Sequence, residues 1–206
     1  MFKTKPAQGR LGPSLNQQPA STSPSAFQSS EAPLCGRILL KTIALAVAFT
    51  ASFLFAVTPR PLADMAIPIP NGKPISLKSY RGKVLLVAVI STDCTACIAS
   101  IDILNRAQKD FGPQGFQVVA AAGDQNAQYM LEPFVQRYRP VFPIGFLNVD
   151  EIMRIGDIAK DQRPFAPIFL FVDRRGVVRQ QFFGDSSFFK AEEASTRKLI
   201  QDMLKP

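Results

Sequence analysis

The run Val84-Leu85-Leu86-Val87-Ala88-Val89-Ile90 leads directly into Ser91-Thr92-Asp93-Cys94-Thr95-Ala96-Cys97-Ile98. An unbroken apolar run of strand length reads as a strand buried on both faces, as in a sheet covered by helices. Beyond the cysteines, Ile98, Ile101, Leu104, Ala107 and Phe111 recur at helical spacing, and Gly112-Pro113 ends that helix. Cys94 is thus expected at a strand-to-helix junction, with Cys97 one turn into the helix.

Reading outward, the elements alternate. Ile75-Ser76-Leu77 predicts a short strand and Tyr80–Lys83 a turn. Phe116–Ala122 is a second buried strand. Gln125–Tyr138 reads as a helix that Pro133 kinks or restarts. Phe142–Leu147 is expected as a short extended insert and Val149–Ile158 as a short helix. Ile168–Val172 is a third strong strand, and Asp173–Gly176 turns it into a hairpin with Val177–Phe183. A helix over Phe188–Leu204, capped by Ser186 or Ser187, closes the chain. This order predicts an α/β fold with a mixed central sheet flanked by helices.

The upstream part differs in character. Residues 1–37 are mostly small and polar residues with many prolines, a composition that cannot bury enough surface to fold, and are read as a cytoplasmic tail. The run over 38–57, ILLKTIALAVAFTASFLFAV, reaches the length of about 20 residues needed to span a bilayer. Arg37 and Lys41 lie near its start, and with Lys3, Lys5 and Arg10 they place the N-terminus in the cytoplasm. The segment reads as a single-pass signal-anchor, because Thr58-Pro59-Arg60-Pro61 offers no clean cleavage site; a cleaved signal peptide is the other reading. Residues 58–66 are expected as a linker and 67–206 as the exported domain. The net charge of +8 is split evenly between residues 1–59 and the rest, with no basic stripe among exposed aromatics. Nucleic acid is therefore not expected as a partner.

Of three cysteines, Cys35 precedes the apolar run, so the exported part holds only Cys94 and Cys97. In an oxidising compartment such a pair forms a disulfide or is kept reduced for a purpose. Free amides and the dipole at a helix N-terminus stabilise a thiolate, which makes Cys94 the attacking sulfur and Cys97 the resolving one. Asp93 opposes this, and the sequence leaves the balance open. With no His and no second cysteine pair, no metal and no cofactor are expected. Two alternatives stay open. A thiol peroxidase would use Cys94 as its peroxidatic sulfur, with Ser91 or Thr92 beside it. A non-catalytic binding domain would keep the pair as a structural disulfide.

The stretches N-G-K-P-I-S-L-K-S-Y-R-G-K-V-L-L-V from Asn71, G-F-Q-V-V-A from Gly115 and A-P-I-F-L-F-V-D-R-R-G-V-V from Ala166, with the cysteine pair, resemble the thioredoxin superfamily. They are most similar to membrane-anchored TlpA/ResA-like thiol-disulfide oxidoreductases of the redoxin, AhpC/TSA-like grouping. The resemblance implies a thioredoxin fold and disulfide exchange outside the cytoplasm, with Pro167 as a cis-proline beside the cysteines. Ala166, Thr95 and Ala96 would then meet the substrate. The implied partners are extracytoplasmic protein thiols and disulfides, such as apocytochrome c or another thioredoxin-like protein, together with a transmembrane electron donor and the lipid bilayer. The departures are specific. Asp93 replaces the usual aromatic, Thr95-Ala96 lacks a proline, Ala88 stands where thioredoxins carry a buried Asp, and Ser100 and Asp102 stand where Glu and Pro are common. The usual proton-transferring carboxylate is absent from its place. Phe165, Phe182, Phe183, Phe188 and Phe189 read as core packing rather than a substrate platform.

Overall fold

The computed structural model describes residues 59–205. The tail, the apolar segment 38–57, Cys35 and the first residue of the linker lie outside the described residues.

The apolar run forms β4 (Val84–Ile90), buried at every position. It is the middle of a six-stranded sheet whose other members are β1 (Arg60–Pro61), β5 (Phe116–Ala122), β6 (Ile144–Phe146), β7 (Ile168–Val172) and β8 (Val177–Phe182), in the order β1-β8-β7-β4-β5-β6. β4 pairs in parallel with β5, which pairs in parallel with β6. β7 is antiparallel to β4, and β8 to β7. A small second sheet joins β2 (Ala66–Ile67) to β3 (Ile75–Ser76).

Because strand side chains alternate, β4 feeds two cores. Val84, Leu86, Ala88 and Ile90 face α1 (Thr95–Phe111), α2 (Ala127–Tyr138) and α4 (Glu192–Leu204) through Ile101, Leu104, Leu131, Phe134 and Ile200. Leu85, Val87 and Val89 face Ile67, Ile75 and Leu77, together with Ile155 of α3 (Val149–Gly156). The sheet is therefore covered on both sides, which explains why its central strands carry no polar alternation. On the first face, Phe169, Phe171, Phe182, Phe188 and Phe189 form an edge-to-face cluster around one stacked pair, Phe182 and Phe188, with centroids 4.1 Å apart.

Several expectations are refined. Arg60–Pro61, read as linker, is a paired strand, and so is Ala66–Ile67, which begins on the last residue of the expected linker. The expected insert over 142–147 contains β6, a full member of the sheet. The last helix opens as a 3-10 turn over Ser187–Ala191, with the Ser186 side chain accepting from the Phe188 amide. Pro133 neither restarts nor ends α2: it is exposed, and the helical bond that its missing N–H removes would have gone to the carbonyl of the exposed Tyr129.

Candidate active site

β4 ends at Ile90, and the chain turns through Ser91-Thr92-Asp93 to Cys94, the N-cap of α1. The turn is tied down from its neighbour. Asp124 accepts from both the Thr92 amide (2.8 Å) and the Thr92 hydroxyl (2.9 Å). The parallel register explains the pairing, since Ile90 lies beside Ala122 and each residue comes two positions later. The Ser91 hydroxyl donates to the Asp93 carboxylate, which holds this exposed acid over the turn.

Cys94 is partly buried and Cys97 fully buried; both are free thiols. The Cys97 amide donates to Cys94 Sγ at 3.2 Å, so the thiol itself serves as the helix cap. The Cys97 thiol bonds to it as well. That bond, followed by the backbone amides of Cys97 and Ala96, stabilises the thiolate against burial and against Asp93, and brings the Cys94 pKa down to about 6. The balance the sequence left open falls to the Cys97 thiol first and the helix-terminal amides second, with Asp93 the smallest contributor. At pH 7 the thiolate then outnumbers the thiol by about ten to one. Cys97 is pushed strongly upward by its bond to Cys94 and by burial, so the pair holds one proton on the inner sulfur.

The third stretch closes the site. The Ala166–Pro167 peptide is cis, as the resemblance implies. The Ala166 carbonyl oxygen lies 3.9 Å from Cys94 Sγ. Gly184 lies against this loop: its amide donates to the Phe165 carbonyl at 2.8 Å, and a Cβ there would meet the Ala166 oxygen at 2.4 Å. Phe165, expected in the core, is half exposed beside the cysteines instead, while Phe188 is buried. Thr95 and Ala96 are exposed on the same rim. The predicted site residues Cys94, Cys97, Thr95, Ala96, Ala166 and Pro167 are thus brought together. Asp124 and Gly184 were not singled out from the sequence. A polar residue two positions past each of two parallel strands was the available signal for Asp124; Gly184 had none.

Among the described residues, no three His, Cys, Asp or Glu side chains converge as a metal site. The arrangement suits sulfur chemistry: an ionised outer thiol, a protonated inner thiol one turn away, and the backbone carbonyl of the partly buried Ala166 beside them.

Comparison with known proteins agrees with this geometry. The family model described as AhpC/TSA family matches residues 60–181. The thiol-disulfide oxidoreductase ResA of Bacillus thuringiensis subsp. konkukian (strain 97-27) is 25% identical over 123 residues, covering 60% of this chain and 68% of that protein. Glutathione peroxidase 1 of Sus scrofa is 38% identical over 71 residues, 34% of either chain. Among solved structures, a thiol:disulfide interchange protein of the thioredoxin family from Chlorobium tepidum TLS superposes with a TM-score of 0.61 at 20% identity, over 72% of this chain and 99% of that one. At that identity the likeness is one of fold.

Proposed function

The chain belongs to the AhpC/TSA family, and we propose that within it this protein is a thiol-disulfide oxidoreductase acting on protein thiols and disulfides outside the cytoplasm. The observation that carries the reading is the unequal pair: a half-buried Cys94 thiolate with a pKa near 6, capped by the amide of a buried, protonated Cys97. In the reducing direction, the Cys94 thiolate attacks a substrate disulfide and expels one substrate thiolate. Cys97 then attacks Cys94 Sγ, expels the second substrate thiolate and leaves the Cys94–Cys97 disulfide. Ala166 lies where an extended substrate segment can pair with the backbone, and Phe165, Thr95 and Ala96 supply its rim. The name of the ResA relative is in keeping with this activity. The apolar run 38–57 anchors the domain to the membrane in this reading, and a membrane protein returns electrons to the pair.

Titration of the full-length protein against glutathione buffers, with thiols trapped at each poise, tests the proposal. A reversible two-electron couple and a Cys94 alkylated far faster than Cys97 are expected. A pair that resists reduction until the protein unfolds, or a Cys94 that no alkylating agent reaches, would leave a binding domain with a structural disulfide.

A second reading, thiol peroxidase, is favoured by the identity with glutathione peroxidase 1 over the stretch of 71 residues. Rapid peroxide consumption by the reduced protein, lost in Cys94→Ser, would establish it.

A further inference from the structure

Two turns meet at the pole of the sheet away from the cysteines. One, residues 78–83, leads into β4; the other, residues 173–176, joins β7 to β8. The Gly82 amide donates to the Arg174 carbonyl at 2.8 Å, and the Arg81 guanidinium to the Arg175 carbonyl at 3.3 Å. Together the turns hold five Lys or Arg and one acid. Arg81 and Arg175 are 94 residues apart in the chain, which is why no basic run shows in the sequence.

The fold does not neutralise this charge. The one acid, Asp173, accepts from the amides of Arg175 and Val177 and pairs with Arg179 at 2.6 Å. The Arg175 guanidinium stays 3.7 Å from it, with a side chain 77% exposed. Lys78 is matched by Asp64. Arg81, Lys83 and Arg174 are exposed, and among the described ion pairs none includes them. Arg174 is fixed instead by the Leu204 carbonyl at the end of α4, at 2.9 Å. Like charges gathered on one face repel, so the cluster does not serve the fold. A shallow cleft beside the turns adds Leu62, Leu77 and Tyr80 to the lining made by Arg81 and Lys83; Asp64 and Asp173, also there, are the acids held by Lys78 and Arg179. Cations over an apolar floor match a phospholipid headgroup, which sets a phosphate above glycerol and acyl carbons.

The course of the chain points to the same occupant. The Leu62 amide donates to the Gly176 carbonyl at 2.9 Å and Pro61 pairs with Val177, so the chain enters the fold against the second turn. In the sequence the apolar run 38–57 ends three residues before Arg60. A run that spans a bilayer leaves about 10 Å of extended chain before Arg60, which brings headgroups within reach of these turns. We propose that the face made by Arg81, Lys83, Arg174 and Arg175 docks on anionic phospholipid headgroups. The choice of lipid rests on the anchored reading of residues 38–57 and is independent of disulfide exchange. The cysteines lie past the other end of β4, so docking leaves their rim uncovered.

The test places the full-length protein in vesicles of phosphatidylcholine, alone or mixed with phosphatidylglycerol. A small water-soluble acylating reagent then reads each lysine by mass spectrometry. One cation near an anionic surface is worth about fivefold in binding, and Lys83 should react more slowly in the anionic vesicles by about that factor or more. Lys190, exposed near the cysteine pole, should react alike in both. Salt at about 1 M, where the Debye length is about 3 Å, should remove the difference. Arg174→Gln with Arg175→Gln is expected to lower docking about 25-fold, so that Lys83 reacts as in neutral vesicles. Lys at both positions keeps the charge and should keep the protection. Native release of thiolate from a small aromatic disulfide shows that either variant is folded. Equal acylation of Lys83 in the two vesicle types overturns the proposal, as does protection undiminished in the Gln variant. Protection by polyglutamate but not by anionic vesicles would make the face one for an acidic protein and overturns it equally. Protein that alkaline carbonate strips from neutral vesicles would count against the anchor alone. Sedimentation with anionic but not neutral vesicles then reads the face, and failure to sediment overturns the proposal.

Discussion

At the residue scale, the site turns on one proton shared by two sulfurs. Reducing the disulfide delivers two electrons. Above the Cys94 pKa of about 6 it takes up one proton, on Cys97; below it, two. The potential should therefore fall by about 30 mV per pH unit above pH 6 and by about 59 mV per unit below it, since 29.6 mV is tenfold for a two-electron couple. A redox titration repeated from pH 5 to 8 locates the break. A slope of two protons through neutrality would mean that Cys94 is an ordinary thiol. The linkage to stability has the same origin. The depressed Cys94 pKa stabilises the reduced fold above the unfolded value near 8.5, and this contribution is lost as pH falls through about 6. The raised Cys97 acts oppositely: its contribution is complete below the unfolded pKa and is lost as pH rises through the folded one.

At the element scale, the site is three loops held at one end of a sheet. One follows β4, one follows β5, and one precedes β7. The last depends on a contact made by Gly184, just past β8. Gly184→Ala puts a methyl group where the Ala166 carbonyl oxygen is now, 2.4 Å from an ideal Cβ. The loop must yield, and overpacking of this kind costs about 1–3 kcal/mol. The midpoint of urea unfolding should drop, and the variant should react more slowly with a peptide disulfide that pairs along Ala166 than with a small aromatic one. Equal losses with both substrates would show that Ala166 guides neither. Much of this level was legible in the sequence. The continuous apolar runs gave β4, β5 and β7, and the cysteine spacing gave the junction. The contacts among loops were less legible, because Asp124 and Gly184 act on residues 32 and 18 positions away, and only the first has a signal, in the matching positions past two parallel strands. Short β1 was missed, and β6 was read only as an extended insert, for a related reason: two or three residues carry no periodicity, and only the strands already in place make them strands. The Phe165 misreading shows the limit of composition. Five phenylalanines look alike in sequence, yet Phe165 is half exposed while the others are buried or partly buried against the cores.

At the scale of the whole molecule, Arg60 closes the fold. It lies in the short edge strand β1 and reaches across to donate to the Ile155 carbonyl (3.0 Å) and Gln181 Oε1 (2.6 Å), with Asp157 at 3.6 Å. Gln181 in turn donates to the Gly156 carbonyl at 2.8 Å. One cation thus joins the first strand, the eighth and the end of α3. Arg60→Ala should lower stability by about 1–3 kcal/mol, the cost of leaving buried acceptors unserved. Thermal unfolding checks it, and an unchanged midpoint would mean the edge strand carries no stability. The thiol reactivity should not change, because the substitution lies at the other end of the sheet.

That position has a mechanical consequence. Arg60 stands level with Val178, Val172 and Leu85, at the foot of β4, whereas the cysteines stand past its head. Five strand residues separate the two levels, a height of about 16 Å at the usual rise per residue. Load placed on the first strand is therefore taken up at the pole of the sheet away from the sulfurs, by the Arg60 bonds to Ile155 and Gln181.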